Sequence, residues 1–92
     1  GGFKVNEPAI DLAVAAAIMS AFKNKPISKD TIVVGELGLG GEVRNVPNLD
    51  RRIIEAQKQG FSRVIIPVTK LSGKYTIEIK QIKNLVELSS LL

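Results

Sequence analysis

The first part of the chain has apolar residues at helical spacing. Asn6 and Pro8 supply a capping residue and a first-turn proline, and the pattern continues to about Lys23. The body of this predicted helix is rich in alanine, which is a strong helix former. We expect one of its faces to point into the core, through Leu12, Ala16, Met19 and Phe22.

A second helical segment covers residues 47–59, and Gly60 is expected as its C-cap. Its apolar positions form the stripe of a helix that packs on a core, comprising Leu49, Ile53, Ile54 and Ala56. The solvent side of the same helix is expected to carry Arg51, Arg52, Glu55 and Lys58. A third, short amphipathic helix is predicted over residues 84–92.

Three short segments between these helices have strand character. They are rich in β-branched residues or alternate apolar with polar ones, and they cover residues 31–35, 61–67 and 75–79. A polar turn over residues 70–74 separates the last two. Strands separated by helices predict βαβ units with right-handed crossovers, and therefore an α/β (α+β) layer fold.

Residues 36–45 are rich in glycine, which indicates a loop or a tight hairpin, with Val43 and Val46 in a second short strand. Glycines at this density could also approach a phosphate. A Walker loop, however, ends in Gly-Lys-Ser/Thr, and a dinucleotide fingerprint needs a third glycine where Val43 stands. We therefore interpret the glycines as structural turns.

The composition narrows the possible chemistry. A chain of 92 residues with 45% hydrophobic residues is enough for one small domain. Cysteine and histidine are both absent, which excludes disulfides, cysteine or histidine zinc sites, and Ser–His or Cys–His catalysis. We expect no cofactor and no metal in this chain, and we interpret its serines as surface or capping hydroxyls.

Targeting signals are not visible in the sequence. No apolar run approaches the roughly 20 residues of a membrane span. The start of the chain also lacks a charged region followed by an apolar stretch and a cleavage site. We therefore expect a cytoplasmic location and no membrane partner.

The charge balance is basic. Thirteen Lys and Arg against nine Asp and Glu give a formal charge of +4, which attracts polyanions. The candidate DNA-binding residues are Arg44, Arg51, Arg52 and Lys58, because a basic loop beside a basic helix face can engage phosphates. A plain solvated face is the alternative, since Glu55 lies at pairing distance along the helix from Arg51 and Arg52.

Several blocks of the chain follow one another in the order and spacing of a known family. They are Gly1-Gly2-Phe3-Lys4-Val5, Glu7-Pro8-Ala9-Ile10-Asp11-Leu12, Gly35-Glu36-Leu37-Gly38-Leu39, Gly41-Glu42-Val43-Arg44, Val46-Pro47 and Val64-Ile65-Ile66-Pro67. These blocks resemble the Lon-protease-like C-terminal domain of the RadA/Sms family of DNA repair and recombination proteins. The resemblance covers essentially the whole chain.

The resemblance implies the fold of the Lon-protease C-terminal domain, also described as the ribosomal-protein-S-five domain-2-like fold. Residues 1–92 would be the C-terminal portion of a single such domain. Family members carry further strands ahead of the segment that begins at Gly1, so we expect a partial domain. Loss of those strands would expose a sheet edge or apolar surface, and we therefore expect self-association.

The same resemblance bears on the catalytic residues of active Lon. Its serine nucleophile falls on Ala9 and its partner lysine on Asp50. A methyl group has no proton to give and an aspartate cannot act as the required amine, so both roles of a Ser–Lys dyad are lost. The resemblance thus implies a pseudo-peptidase domain that is not an enzyme, with any ATPase activity in other parts of the parent protein.

The function that the resemblance implies is a non-catalytic scaffold of a RadA-type recombination and repair ATPase. Such a domain would support a ring-shaped homo-oligomer, hexameric in the parent protein, and would contact DNA. A RecA-type recombinase is a further expected partner. Two alternatives remain open, a Lon-like Ser–Lys peptidase domain and a protein-interaction module without DNA contact.

Overall fold

A computed structural model of the chain describes residues 11–92. The described elements, in chain order, are α1 (Asp11–Lys23), β1 (Thr31–Val33), β2 (Glu36–Leu37), β3 (Val43–Arg44), α2 (Leu49–Lys58), β4 (Arg63–Pro67), β5 (Glu78–Ile82) and α3 (Leu85–Ser90). Each predicted helix and strand has a counterpart among them, although Val46, predicted in the second short strand, lies beyond β3. The predicted start of the first helix, at Asn6 and Pro8, lies outside the described residues. The sequence-based bounds differ mainly in the last strand.

The strands form a parallel sheet and a separate hairpin. The sheet has the order β1-β4-β5, with Thr31 opposite Arg63 and Arg63 in turn opposite Glu78. The hairpin pairs β2 with β3, Glu36 lying opposite Arg44. A parallel sheet between helices confirms the predicted α/β class, whereas the narrower Lon-type fold stays a prediction.

The sheet is covered on both faces, as the apolar run of β4 indicates. Val64 and Ile66 contribute to one core and Ile65 to the other, because successive strand residues point to opposite faces. The first core lies under α2 and contains Val34, Val46, Leu49, Ile53, Ala56, Val64, Ile66 and Ile77. The second lies under α1 and α3 and contains Leu12, Ala16, Val33, Ile65, Ile82 and Leu88.

The helix of the first connection and the apolar residues of the second lie over the same face of the sheet, whereas the β2–β3 hairpin contacts α1. Since β1, β4 and β5 follow each other across the sheet, right-handed crossovers put both connections on one side. The first connection contains α2. The second, residues 68–77, has no helix and instead packs Leu71 and Tyr75 against the same core. α1 and α3 are therefore left to cover the opposite face.

The buried face of α1 differs from the predicted one. Leu12 and Ala16 are buried as expected, but Phe22 is 91% exposed, so its assignment to the core is wrong. The buried stripe continues instead through Ser20, whose hydroxyl donates to the carbonyl oxygen of Lys25 at 2.6 Å. Because that hydroxyl is satisfied, a polar residue can be buried on this side of α1, while Phe22 lies on the exposed side. Ile54 of α2, also predicted as core, is 38% exposed.

The last strand begins three residues later than predicted. The backbone N–H groups of Thr76 and Ile77 donate to the Gln57 side-chain oxygen, at 2.8 and 3.3 Å. These two N–H groups therefore bond to a side chain of α2, and hydrogen bonding to β4 begins only after them. The strand then runs from Glu78, and Ile77 is buried in the core ahead of it.

Candidate nucleic-acid interface

Helix α2 carries most of the predicted DNA-contacting residues, and its end is fixed by Gly60. That glycine has φ +91°, a left-handed conformation that glycine adopts without steric cost. The Phe61 N–H donates to the Ala56 carbonyl and the Gly60 N–H donates to the Gln57 carbonyl, both at 3.1 Å. This pair of hydrogen bonds is a Schellman motif, so the predicted cap at Gly60 is confirmed.

The N-terminal turn of α2 is tied to the second crossover. Asp50 stands in the first turn, where a carboxylate is favoured by the helix dipole. Its Oδ1 accepts a hydrogen bond from the Tyr75 hydroxyl. Asp50, which the resemblance predicts at the position of the Lon lysine, thus links α2 to residues 68–77. Ala9, predicted at the position of the Lon serine, lies outside the described residues.

The remaining sides of α2 have different surroundings. Asp50 and Gln57 lie on the flank toward the second crossover, which they contact through hydrogen bonds. Arg52 lies on the other flank, beside a shallow pocket that also contains Ile32 of β1. Helical geometry at 100° per residue then directs Arg51 and Lys58 away from the core. The predicted outward position of Arg51 and Lys58 is therefore confirmed, whereas Arg52, predicted on the same side, is half-buried.

Arg51 and Lys58 are the most available of the predicted cations. Both are exposed, and among residues 11–92 neither has a hydrogen bond or an ion pair. They lie seven positions apart, which is about 10 Å along the helix axis at 1.5 Å per residue. Two free cations at this spacing can contact two phosphates of one nucleic-acid strand without giving up an internal bond.

Arg52 and Arg44 are engaged within the protein. The Arg52 side chain is half-buried, and its Nε donates to the Pro47 carbonyl at 3.1 Å. Arg44 lies at the end of β3, where its guanidinium is 3.7 Å from the Glu42 carboxylate. Both partners are partly exposed, so this ion pair is worth at most about 1 kcal/mol. The four predicted residues thus divide into a free pair and an engaged pair.

Other kinds of site find no support in the described residues. Residues 11–92 contain no group of three or more Asp or Glu side chains that could hold a metal ion. In the same part of the chain, no helix combines the length and apolar character needed to cross a membrane. The expectation of no cofactor stays a prediction.

Two exposed apolar features were not predicted from the sequence. Leu39, at the tip of the β2–β3 hairpin, is fully exposed. Val14, Ile18 and Phe22 form an exposed apolar row on α1. A large apolar residue among glycines, and a helix that is apolar all round, are sequence signals that could have indicated both.

Comparison with known proteins gives one consistent family. The family model described as subunit ChlI of Mg-chelatase matches residues 1–70. DNA repair protein RadA of Campylobacter jejuni is 48% identical over 89 residues, which are 95% of this chain and 20% of that protein. The protein of the same name from Streptococcus pneumoniae is 52% identical over 73 residues, 79% of this chain and 17% of that protein. The chain therefore spans about a fifth of the length of the curated relatives it matches.

These comparisons confirm one expectation and correct another. The resemblance to the RadA/Sms family is confirmed by identities of about 50% over most of the chain. The interpretation as a non-enzymatic pseudo-peptidase domain is wrong, because the matching family model is that of a magnesium chelatase subunit and the relatives are named DNA repair proteins. The chain belongs to the family described as subunit ChlI of Mg-chelatase, and it is similar to DNA repair protein RadA of several bacteria.

Proposed function

We propose that the chain is an assembly and DNA-contacting part of a RadA-type DNA repair protein. The observation that carries this proposal is the pair Arg51 and Lys58, both exposed and without internal partners among the described residues. The net charge of +4 and the name shared by the relatives support it. A DNA-contacting role also implies a cytoplasmic location.

The proposed contact is made to the phosphate backbone and does not read bases. The free cations lie on one outward helix face, and a lysine or arginine on a phosphate carries no sequence information. Each phosphate contact adds about 0.9 to the slope of log affinity against log salt on duplex DNA. Two contacts predict a slope of roughly 1.8, and recruitment of Arg44 and Arg52 would raise it to about 3.6.

The test is a titration of labelled duplex with the 92-residue chain at several salt concentrations. The variant Arg51→Ala/Lys58→Ala is expected to bind more weakly and to lose about 1.8 from the slope. A matched control is Lys29→Ala/Lys83→Ala, which removes the same charge from exposed positions in other parts of the molecule. Equal losses in the two variants would mean that only net charge matters. Unchanged binding in the first variant would reassign α2 as a solvated face.

The second half of the proposal is self-association. β1 has no neighbouring strand on its outer side among residues 11–92, and α1 exposes an apolar row. Both features favour contacts with another surface. Assembly into a ring, hexameric in the parent protein, would multiply weak DNA contacts through effective concentration. Sedimentation of the chain over a range of concentrations tests the association, and a monomer at every concentration contradicts it.

Two finer proposals accompany this function. We propose the Lon-protease C-terminal domain as the parent fold, which an experimental structure of the longer parent protein would test by superposition. We also propose a RecA-type recombinase as a partner, which a pull-down with and without DNA would test. A protein-interaction module without DNA contact is the alternative, favoured if association is strong and DNA binding is absent.

A further inference from the structure

The tip of the β2–β3 hairpin presents one leucine on a well-ordered turn. The Gly38 N–H donates to the Glu42 carbonyl at 2.8 Å, and the Gly41 N–H donates to the Gly38 carbonyl at 3.1 Å. The Glu42 carboxylate folds back and accepts from the Gly40 N–H at 3.1 Å. Leu39 projects from this turn fully exposed. Because these hydrogen bonds already fix the turn, burying Leu39 against a partner costs little further backbone entropy.

A second feature is an apolar groove of about 310 Å³ between α1 and α3. It is lined by Ile18, Met19, Phe22, Lys23 and Ser89. The Lys23 ammonium closes one side by donating to the Ser89 carbonyl and hydroxyl oxygens, at 3.0 and 2.9 Å. Since an apolar cavity of about 150 Å³ can hold a benzene molecule, this groove has room for a leucine side chain.

Leu39 does not lie in the groove of its own molecule. The Leu12 N–H donates to the Gly35 carbonyl at 3.3 Å, which places the start of α1 beside the point where the hairpin leaves β1. The groove begins six residues further along α1, about 9 Å away along its axis, and extends to the end of that helix. The hairpin also reaches α3, since the Leu85 N–H donates to the Gly41 carbonyl at 3.0 Å. Leu39 is nevertheless fully exposed, so one molecule does not fill its own groove with it.

The charges beside the two features are opposite. The hairpin around Leu39 carries two carboxylates, Glu36 and Glu42, and one guanidinium, Arg44, so its net charge is negative. Lys23 lines the groove, and Lys25 follows it at the exposed end of α1. A hairpin docked in the groove would bring carboxylates toward ammonium groups, which favours this orientation over two hairpins or two grooves meeting.

We propose that Leu39 of one copy of this chain inserts into the α1–α3 groove of a second copy. The inference rests on the self-association proposed above and names its surfaces. Because the two surfaces differ, the contact is head-to-tail, and repeated contacts close into a ring or continue as a fibre. The occupant of the groove is thus a hairpin of the same protein.

Cysteine cross-linking tests this contact directly, because the chain contains no cysteine of its own. A Leu39→Cys chain and a Phe22→Cys chain, distinguishable by mass, are mixed and oxidised. The mixed dimer is expected in about tenfold excess over the dimer formed by a control pair, Val68→Cys with Phe22→Cys, because contact raises effective concentration. Val68 serves as the control because it is an apolar residue at the surface, about half exposed, that lies outside both proposed surfaces. Equal yields from the two pairs would overturn the proposal.

A second measurement separates this contact from the rest of the proposed function. Leu39→Asp is expected to weaken self-association at least about tenfold in sedimentation, while Val68→Asp changes it little. Association that survives Leu39→Asp overturns the proposed surfaces but leaves self-association standing. Preferential homodimers of Ile18→Cys would identify a two-fold α1 pairing instead. DNA titration of Arg51→Ala/Lys58→Ala reports on the DNA proposal independently.

Discussion

The helices α1 and α2 cover opposite faces of one sheet, yet they are built in opposite ways. α2 has an apolar stripe through Leu49, Ile53 and Ala56, and a solvent face that is largely charged. α1 is apolar on nearly every side, and its buried stripe consists of Leu12, Ala16 and Ser20. The more hydrophobic helix thus buries the smaller side chains. Hydrophobicity alone does not indicate which face of a helix packs on a core.

The comparison also separates folding from association. Ile53 is removed from water by the fold, so its transfer free energy stabilises the single molecule. Ile18 and Phe22 are 63% and 91% exposed, so most of their apolar surface is still in contact with water. That surface can stabilise only a contact with another surface. The two helices are therefore expected to respond to substitution in different experiments.

The largest effect is expected for Ile53→Ala. Ile53 is fully buried beneath α2, and truncation leaves a cavity, which costs about 2–5 kcal/mol of unfolding free energy. Ile54→Ala is the matched control, because the same substitution one residue along removes a side chain that is 38% exposed. Urea unfolding of both variants measures the difference. Similar losses would contradict the described orientation of α2.

The next effect concerns the end of α2. Gly60→Ala places a Cβ in open space but at φ +91°, so the expected loss of about 1–2 kcal/mol is purely conformational. Gly40→Ala is the control, since a Cβ there meets only the Glu42 carboxylate, at 3.7 Å. Its loss is expected to be smaller than about 0.5 kcal/mol. Urea unfolding would refute the cap at Gly60 if the first variant were as stable as the parent chain.

The difference between α1 and α2 also explains which parts of the fold could be predicted from the sequence. The extent of α2 could be predicted because its apolar and charged residues lie on different sides of the helix and Gly60 marks its end. The buried face of α1 could not be predicted, because alanines and large apolar residues surround the whole helix. The bond from the Ser20 hydroxyl to the Lys25 carbonyl, which satisfies a buried polar group, is not visible in the sequence. In the candidate site, the exposure of Arg51 and Lys58 could be predicted from α2. The engagement of Arg44 depends on a hairpin contact that helical periodicity does not report.

A smaller effect is expected where α2 meets the second crossover. Tyr75→Phe removes the hydroxyl that donates to the Asp50 carboxylate, and Asp50→Ala removes the acceptor. A double-mutant cycle of the two is expected to give a coupling of about 0.5–1.5 kcal/mol, because the pair is partly solvated. Additive losses in urea unfolding would show that Asp50 acts only on the helix dipole.

The smallest effect on folding is expected for Phe22→Ser, although it removes the largest apolar side chain of α1. Phe22 is 91% exposed, so the unfolding free energy of the monomer should change by no more than about 0.5 kcal/mol. The measurement needs low protein concentration, because association of the native state alone would add apparent stability by mass action. At high concentration the same variant should unfold at a lower urea concentration than the parent chain, since the α1–α3 groove has lost one wall.

A large loss of unfolding free energy at low protein concentration would mean that Phe22 is packed within the single molecule. A variant equal to the parent chain at both concentrations would mean that the outer face of α1 takes part in neither folding nor association.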